Sequence, residues 1–302
     1  MRTSKLVNSS ILSIGFLLNL IILYFFIQKS RRNPFSTHYF FIINIALSDA
    51  ITCLSRVWFM ISVMLSPQHT PLFCRIGEMP FMTADVSLWI LLAISCDRYR
   101  KIIKPLHRQM DKRAAVLICV VSYTIAFGLH SRFALTDSFI PNPYGACFTK
   151  DNIGMRISLI LLLILSITLP IALILTLNYR ASKQLSASQN VTSDNRNNVL
   201  EYRRNLAASK TLNALTVLAI ATALFPRLLV AVIYVLQAKG FLKDSWSLNL
   251  LETSYDVFFL NNALNFFVYL KFMTNFRHFV LRKWFCAKRD VKRNHSISMS
   301  EL

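Results

Sequence analysis

Seven apolar stretches, each long enough to cross a lipid bilayer, constrain this chain more than any other feature of its sequence. A helix needs about 20 apolar residues to cross the roughly 30 Å of hydrocarbon. The stretches cover approximately residues 6–28, 37–65, 73–103, 113–135, 155–181, 206–237 and 246–270. Because hydrocarbon offers the backbone no hydrogen-bond partner, each stretch is predicted to be a helix. The sequence therefore predicts an all-α membrane protein in which residues 1–302 form one domain, a seven-transmembrane-helix bundle.

The charged residues predict how this bundle is oriented. Lys and Arg number 34 against 14 Asp and Glu, and the formal net charge is +20. The cations stand in the loops after the first and third stretches and before the sixth: Lys29, Arg31, Arg32, Arg100, Lys101, Lys104, Arg108, Lys112, Arg113, Arg203, Arg204 and Lys210. Such cations contact anionic membrane lipids and mark the cytoplasmic side, so we expect no nucleic-acid binding and an amino terminus on the outside.

Two polar segments are predicted to lie outside the hydrocarbon. Residues of about 183–205 are rich in Ser, Asn and Gln, which is typical of a mobile loop. Residues of about 273–285 place Phe276, Phe279 and Val280 at helical spacing, with Arg and Lys between them. This pattern predicts a short amphipathic eighth helix in the membrane interface, followed by a disordered tail over 287–302.

A charged triplet ends the third stretch. Asp97-Arg98-Tyr99 is followed, a few residues later, by Pro105-Leu106. An arginine at the edge of the hydrocarbon is costly unless it pairs with a carboxylate or reaches water, so Arg98 beside Asp97 is a candidate functional residue. An Asp-Arg-Tyr triplet at this place, with an isoleucine and Pro-Leu behind it, resembles the signature of the rhodopsin-like (class A) G-protein-coupled receptors.

This resemblance implies a non-enzymatic plasma-membrane receptor that relays the binding of an extracellular ligand to a heterotrimeric G protein. It implies roles in G-protein coupling and activation for Asp97, Arg98 and Tyr99. Asn265 and Tyr269 resemble the ends of the family's Asn-Pro-x-x-Tyr motif, although Phe266 replaces the proline. The family's Cys-Trp-x-Pro motif is here Ala223-Leu224-Phe225-Pro226, so its tryptophan is missing.

Several polar residues interrupt the apolar stretches and need partners, because an unsatisfied polar group is costly in hydrocarbon. Asn19 and the segment Asn44–Asp49 resemble motifs in the first and second helices of the family. The resemblance implies that four of these residues line a sodium pocket: Asp49, Ser87, Asn261 and Asn265. A carboxylate with neutral oxygens suits a hard monovalent cation; a dry hydrogen-bonded core is the alternative.

Cysteines and prolines add two further expectations from the resemblance. Cys74, near the start of the third stretch, and Cys147, in the loop after the fourth, resemble the family's disulfide, and both face an oxidising compartment in the predicted orientation. Pro170 and Pro226 match the prolines of the fifth and sixth helices. Because proline removes a backbone donor and clashes with the preceding turn, both are predicted hinges.

Four charged residues within the stretches are candidates for ligand binding: Arg56, Arg227, Asp85 and Asp256. Arg56 lies seven residues after Asp49, and Arg227 directly follows Pro226. An intramembrane arginine faces the bundle interior and pairs with an anion. The sequence leaves two alternatives open, an anionic ligand or internal ion pairs with acids such as Asp85 and Asp256.

The carboxy-terminal tail offers sites for further partners. Ser296 follows Arg293 by three residues, a spacing used by basic-directed kinases, and phosphates at Ser296, Ser298 and Ser300 would favour an arrestin. The ending Ser300-Glu301-Leu302 resembles the peptides that PDZ domains bind.

Two other classes of membrane protein remain as alternatives. A seven-span hydrolase would need clustered His and carboxylate ligands for zinc, and the six histidines are scattered. An ion or solute transporter or a channel would need charge rings, discontinuous helices or repeats, none of which stands out.

Overall fold

The computed structural model describes residues 2–32, 35–65, 77, 79–103, 110–135, 139–141, 147–149, 157, 160–189, 196–238 and 245–284. These residues form nine α-helices, two π-helical turns and one small hairpin. The helices are α1 (Arg2–Arg32), α2 (Thr37–Leu65), α3 (Met79–Ile103), α4 (Lys112–Leu135), α5 (Leu169–Gln189), α6 (Arg196–Ala219), α7 (Phe225–Ala238), α8 (Ser245–Phe272) and α9 (Thr274–Trp284). The strands β1 (Phe139–Pro141) and β2 (Cys147–Thr149) pair antiparallel.

The helices pack into a closed bundle. Helix α3 is central and contacts α2, α4, α5 and α6, while α8 closes the ring by packing against α1, α2, α6 and α7. The amino-terminal end of the bundle holds the start of α1, and the opposite end, called the Arg98 end, holds the end of α3 and the start of α2.

Six helices in the described part of the chain are long and apolar enough to cross a membrane. They cover Val7–Arg32, Thr37–Ser62, Met79–Ile103, Lys112–Ser131, Ile160–Ser186 and Ser209–Ile233. The coarse prediction of a helical membrane bundle is therefore confirmed. Helix α8 lies where the seventh span was predicted, over 246–270, but it is not among the six. Its crossing of the membrane stays a prediction.

Close contact between α1 and α8 depends on one small residue. A Cβ atom added at Gly15 would stand 2.6 Å from the Cβ of Ala263, far inside van der Waals contact. One turn further along α1, the Asn19 side chain donates hydrogen bonds to the carbonyls of Gly15 and Asn262, both at 2.9 Å. The Asn19 side-chain amide is thus hydrogen-bonded across the interface between α1 and α8, which Gly15 allows to pack closely.

Both predicted hinge prolines follow a widened turn of helix. A π turn over Leu163–Thr168 precedes Pro170, and a second over Ile220–Leu224 precedes Pro226. In the first, the backbone N–H of Leu169 bonds to the carbonyl of Ile164, five residues back. Because proline has no N–H and its ring crowds the carbonyl four residues earlier, the helix opens there into the wider form. That these turns act as hinges of motion stays a prediction.

The apolar core has two large parts. Near the Arg98 end, Phe26, Phe41, Ile90 and Tyr269 are almost fully buried in one cluster. Toward the amino-terminal end, a second cluster contains Phe258 and Phe259 of α8 with residues of α1, α2 and α3. Polar groups between and beside these clusters are isolated from water.

The structure differs from the sequence predictions on the Arg98 side. The prediction of a mobile loop over 183–205 is wrong at both ends of this segment, because α5 continues to Gln189 and α6 begins at Arg196. This segment is polar but contains no Gly or Pro, so nothing in it breaks the helices that enter and leave it.

The remaining boundaries agree only in part. Helix α3 covers the predicted third span from Met79 onward, and residues 73–76 and 78 lie outside the described residues. Helix α9 occupies most of the predicted interfacial segment, with Phe276 and Val280 buried and Lys283 exposed. Its position at a membrane surface stays a prediction. The predicted tail over 287–302 also lies outside the described residues.

Candidate functional site

At the Arg98 end, the acid of the charged triplet is held by two partners. The Asp97 carboxylate is 2.6 Å from the Lys101 Nζ atom, one helical turn further along α3. The same Asp97 Oδ2 atom accepts a hydrogen bond of 3.1 Å from Thr37 Oγ1, at the start of α2. Lys101 in turn donates to Thr37 at 3.1 Å. These three groups close a polar triangle between α2 and α3.

Arg98 takes no part in this triangle. Its Nε atom is buried without a hydrogen-bond partner, and among the described residues no salt bridge joins Arg98 to an acid. Tyr99, the third residue of the triplet, is half-buried. Asp97 and Arg98 are neighbours in the sequence, but the salt bridge of Asp97 is with Lys101.

In the middle of the bundle, three of the four predicted sodium ligands meet. Ser87 Oγ donates to Asp49 Oδ1 and Asn265 Nδ2 donates to Asp49 Oδ2, each at 2.6 Å. The Asp49 side chain is fully buried. Since each carboxylate oxygen accepts one of these bonds and has a second lone pair, both could still contact a cation.

The fourth predicted ligand turns toward a different helix. Asn261 Oδ1 accepts a hydrogen bond of 2.9 Å from Thr222 in the second π turn. A cavity of about 20 Å³ lies beside it, lined among others by Ser87, Asn261, Asn265 and Tyr269. About 10–15 Å³ is enough for one water molecule, so this space fits one water or one small ion. Ser87, Asn261 and Asn265 line this cavity and fit a sodium ion, while the Asp49 carboxylate, which does not line it, is hydrogen-bonded to Ser87 and Asn265.

Tyr269 ends the motif that begins at Asn265, yet the two residues have different surroundings. Tyr269 is 1% exposed, and its hydroxyl is buried without a hydrogen-bond partner in the described part of the chain. Its ring centroid lies 6.2 Å from that of Phe26 in α1. Asn265 contacts Asp49, whereas Tyr269 is held among aromatic side chains.

Toward the amino-terminal end, Arg227 lies in a buried charged cluster. Its Nη2 atom is 2.9 Å from Asp85 Oδ1, and its Nη1 atom is 3.2 Å from Asp85 Oδ2. His130 of α4 contacts the same carboxylate at 2.8 Å, and Ser166 accepts a bond of 3.0 Å from Arg227. The guanidinium also lies 4.3 Å from the ring centroid of Phe258. Four helices and the first π turn thus meet around one cation.

The second intramembrane arginine has a similar arrangement nearer the edge. Arg56 Nη2 is 3.6 Å from Asp256 Oδ1, and the guanidinium lies 4.8 Å from the Phe259 ring centroid. Asn8 of α1 donates its side-chain amide to the other oxygen of Asp256. The four ligand-binding candidates therefore pair with one another, Arg56 with Asp256 and Arg227 with Asp85, which is the geometry of the internal ion-pair alternative.

The predicted disulfide falls largely outside what the structure describes. Cys74 lies outside the described residues, and Cys147 is the first residue of β2, described by its backbone only. Three other cysteines, Cys53, Cys96 and Cys119, are free thiols. The pairing of Cys74 with Cys147 stays a prediction.

Several residues of these clusters were missed by the sequence reasoning. Lys101 follows Asp97 by four residues, the spacing of a helical ion pair, so a signal for it was present. Ser166 and Thr222 each stand four residues before a hinge proline, where the backbone widens and a hydroxyl can turn inward. Thr37 and His130 have no comparable signal, because their partners belong to other helices.

The chain belongs to the rhodopsin family of seven-transmembrane receptors. The family described as "7 transmembrane receptor (rhodopsin family)" matches residues 18–269, most of the bundle. The family is one of receptors rather than enzymes. Over 106 residues the chain is 31% identical to the tachykinin-like peptides receptor 99D of Drosophila melanogaster. That similarity covers 34% of this chain and 20% of the fly receptor, so the chain matches about a fifth of its relative's length.

Proposed function

We propose that this chain is a plasma-membrane receptor that relays the binding of an extracellular ligand to a heterotrimeric G protein at the Arg98 end. The observation that carries the proposal is Arg98 itself, a half-buried cation at the end of α3 that forms no salt bridge among the described residues. A polar segment of the G protein that enters there would supply the partner. The family match does not favour the transporter, channel or hydrolase alternatives.

The proposal takes α8 as the seventh span, with the amino terminus outside. Support comes from its burial, since Phe258, Phe259, Asn262 and Tyr269 are each at most 2% exposed. We propose that α9 lies in the membrane interface, because its buried Phe276 faces the bundle while Lys283 is exposed. Arrestin and PDZ domains stay predicted partners of the segment over 287–302.

A short polar chain in the middle of the bundle would carry part of the signal. Thr222, in the π turn before Pro226, bonds to Asn261, and Asn261 and Asn265 line the same cavity. A ligand that changes the bend at Pro226 would move Thr222 and disturb this chain. Because the tryptophan of the family's sixth-helix motif is missing, we assign its coupling role to the Thr222–Asn261 contact.

The ligand is proposed to act on the charged clusters at the amino-terminal end. Arg56 and Arg227 would bind an anionic group in exchange for Asp256 or Asp85, whose carboxylates now neutralise them. The fly relative is named as a receptor of tachykinin-like peptides, so peptides join small carboxylates as first candidates. A second-messenger screen of both classes in cells would identify the ligand.

The coupling proposal is tested by Arg98→Ala. We expect the variant to reach the cell surface but to lose nucleotide exchange on G proteins, because the guanidinium at the Arg98 end is gone. Exchange is measured on purified receptor in lipid nanodiscs, with Arg113→Ala, an exposed cation at the start of α4, as the control. Exchange by Arg98→Ala at the wild-type rate would refute the proposal.

We also propose that a sodium ion binds at Asp49, Ser87, Asn261 and Asn265. When bound, the ion would supply a positive charge to the buried carboxylate and stabilise the state it prefers by mass action. In wild type, replacing potassium by sodium should raise the melting temperature. Asp49→Asn should abolish this response, while Asp111→Asn, at an exposed acid, should keep it. An equal sodium response in Asp49→Asn would argue for a dry hydrogen-bonded core.

A further inference from the structure

The end of α1 and the helix α9 form a basic surface at the Arg98 end. The last turn of α1 holds Lys29, Arg31 and Arg32, and the last turn of α9 holds Arg282 and Lys283. Lys29 is half-buried and the other four are exposed. Neither helix contains an acidic residue, so no carboxylate of these two helices balances the charges. The surface therefore attracts anions.

An aromatic cluster joins the two helices and holds two of these cations. The ring centroids of Phe25 in α1 and Phe279 in α9 lie 5.0 Å apart, and the centroid of Tyr24 lies 6.1 Å from that of Phe279. Lys283 Nζ is 4.3 Å from the Tyr24 ring centroid, and Lys29 Nζ is 5.6 Å from that of Phe25. Because a ring carries no net charge, it attracts a cation without neutralising it. Both ammonium groups thus keep their charge beside one aromatic cluster.

An exposed apolar face leads away from this cluster along α1. Leu17, Leu20, Tyr24 and Ile27 are exposed, and their helical spacing places them on one side of the helix. This side lies within the candidate membrane span Val7–Arg32. A ligand with an anionic head and an apolar tail would contact both the basic surface and this face, whereas a soluble anion would use only the first.

We propose that the α1–α9 surface, which consists of Tyr24, Lys29, Arg282 and Lys283 with the apolar face of α1, binds a phospholipid of the phosphoinositide class. Lys29 and Lys283 contact the headgroup phosphates, Tyr24 holds Lys283 in place, and the acyl chains lie along Leu20. Charge complementarity favours this occupant, since clusters of four or more basic residues beside a membrane-spanning helix bind such lipids. The inference goes beyond receptor function and takes from it only the position of α9 in the membrane interface.

Two plainer roles of these cations make different predictions. If they only offset the dipoles at the carboxy-terminal ends of α1 and α9, their loss would lower stability and leave lipid binding unchanged. If they attract anionic lipids only as diffuse charge, any exposed lysine on the same side of the membrane would matter equally. The Tyr24 ring would then have no effect on lipid binding.

The experiment counts the lipids that stay bound to full-length receptor on release from nanodiscs of phosphatidylcholine, with phosphatidylinositol bisphosphate as the minor lipid, by native mass spectrometry. Lys29→Gln and Lys283→Gln should each weaken the apparent affinity about fivefold, the effect of one cation near a membrane surface. Lys183→Gln, at an exposed lysine of α5, is the matched control and should change it little. Equal losses in all three variants, or no loss in Lys283→Gln, would overturn the inference.

A variant that keeps every charge separates a built site from diffuse attraction. Tyr24→Leu removes the ring beside Lys283 and should weaken the apparent affinity about two- to fivefold, as expected for one exposed cation–π contact. Tyr179→Leu, at an exposed tyrosine of α5, should leave it unchanged. Wild-type affinity in Tyr24→Leu would overturn the site. Thermal unfolding verifies that each variant is folded, and Lys283→Gln and Tyr24→Leu carry the test if Lys29→Gln is not.

The headgroup and the independence from coupling are tested with the same protein. Phosphatidylserine at equal total charge should occupy the site less than phosphatidylinositol bisphosphate, and equal occupancy would overturn the assignment to a multiply charged headgroup. Because lipid binding is measured without a G protein, its absence would leave the coupling proposal standing. A receptor that binds the lipid but drives no nucleotide exchange would overturn the coupling proposal alone.

Discussion

Asp85 and Arg227 form an ion pair that is almost fully removed from water, with side chains 0% and 8% exposed. Transferring two charges into the bundle is costly, and only their mutual contact and the further bonds to His130 and Ser166 offset that cost. The pair is therefore a point where a single substitution has a large effect.

Asp85→Asn should destabilise the protein by about 3–5 kcal/mol, because it leaves the Arg227 guanidinium buried without a counter-charge. Thermal unfolding of purified receptor measures the change. Asp256→Asn provides a graded control: its pair with Arg56 is longer, at 3.6 Å, and more exposed, so the loss should be smaller.

The double variant Asp85→Leu with Arg227→Met tests the reason for this loss. Replacing both charges by apolar groups removes the uncompensated cation, so much of the stability should return. A double variant as unstable as Asp85→Asn would show that the shape of the cluster matters more than its charge.

At the scale of elements, the contact between α1 and α8 decides whether the bundle closes. Gly15→Ala would bring its methyl group to 2.6 Å from the Cβ of Ala263 and 3.1 Å from its Cα, so the helices must separate. We expect a loss of about 1–3 kcal/mol, as for other overpacked sites, together with weakening of the Asn19 bond to Asn262.

Gly128→Ala is the matched control for this prediction. Among the described residues no atom outside the neighbouring backbone of α4 lies within 4 Å of a Cβ added at Gly128, so the same substitution there causes no clash. Alanine also favours the helix over glycine by about 1 kcal/mol, and thermal unfolding should show Gly128→Ala unchanged or stabilised. Equal effects of the two variants would contradict the close packing of α1 on α8.

At the scale of the whole molecule, the orientation of the bundle connects its two ends to two compartments. The hairpin with Cys147 follows α4, which begins at the Arg98 end, so the hairpin belongs to the amino-terminal end. If this end is outside the cell, as the basic loops predict, it meets an oxidising environment in which disulfides persist.

A Cys74–Cys147 disulfide should therefore be found when the native protein is digested without reduction and its peptides are mapped by mass spectrometry. Cys53, Cys96 and Cys119 should remain thiols. Cys147→Ser should free Cys74 for thiol labelling and lower surface expression, since loss of a native disulfide typically costs about 2–5 kcal/mol. Two free thiols at Cys74 and Cys147 in the wild type would contradict the bridge.

Much of the fold could be predicted because it depends on properties that each segment has alone. The span predicted over 37–65 matches α2 at both ends, and the fourth span differs from α4 by one residue at its start. The prediction of a loop over 183–205 was wrong at both ends because polarity alone does not end a helix. The site was partly predictable, since the meeting of Asp49, Ser87 and Asn265 followed from the family motifs.

The sequence by itself determined the class of protein, the place of six apolar helices and the polar residues that they bury. Apolar length and motif spacing are local and can be counted along the chain. Only the tertiary structure decided which partner each buried charge has: Lys101 and Thr37 for Asp97, Asp85 and His130 for Arg227. These choices depend on distances between helices that are far apart in sequence, and a difference of a few ångströms decides which cation a carboxylate binds.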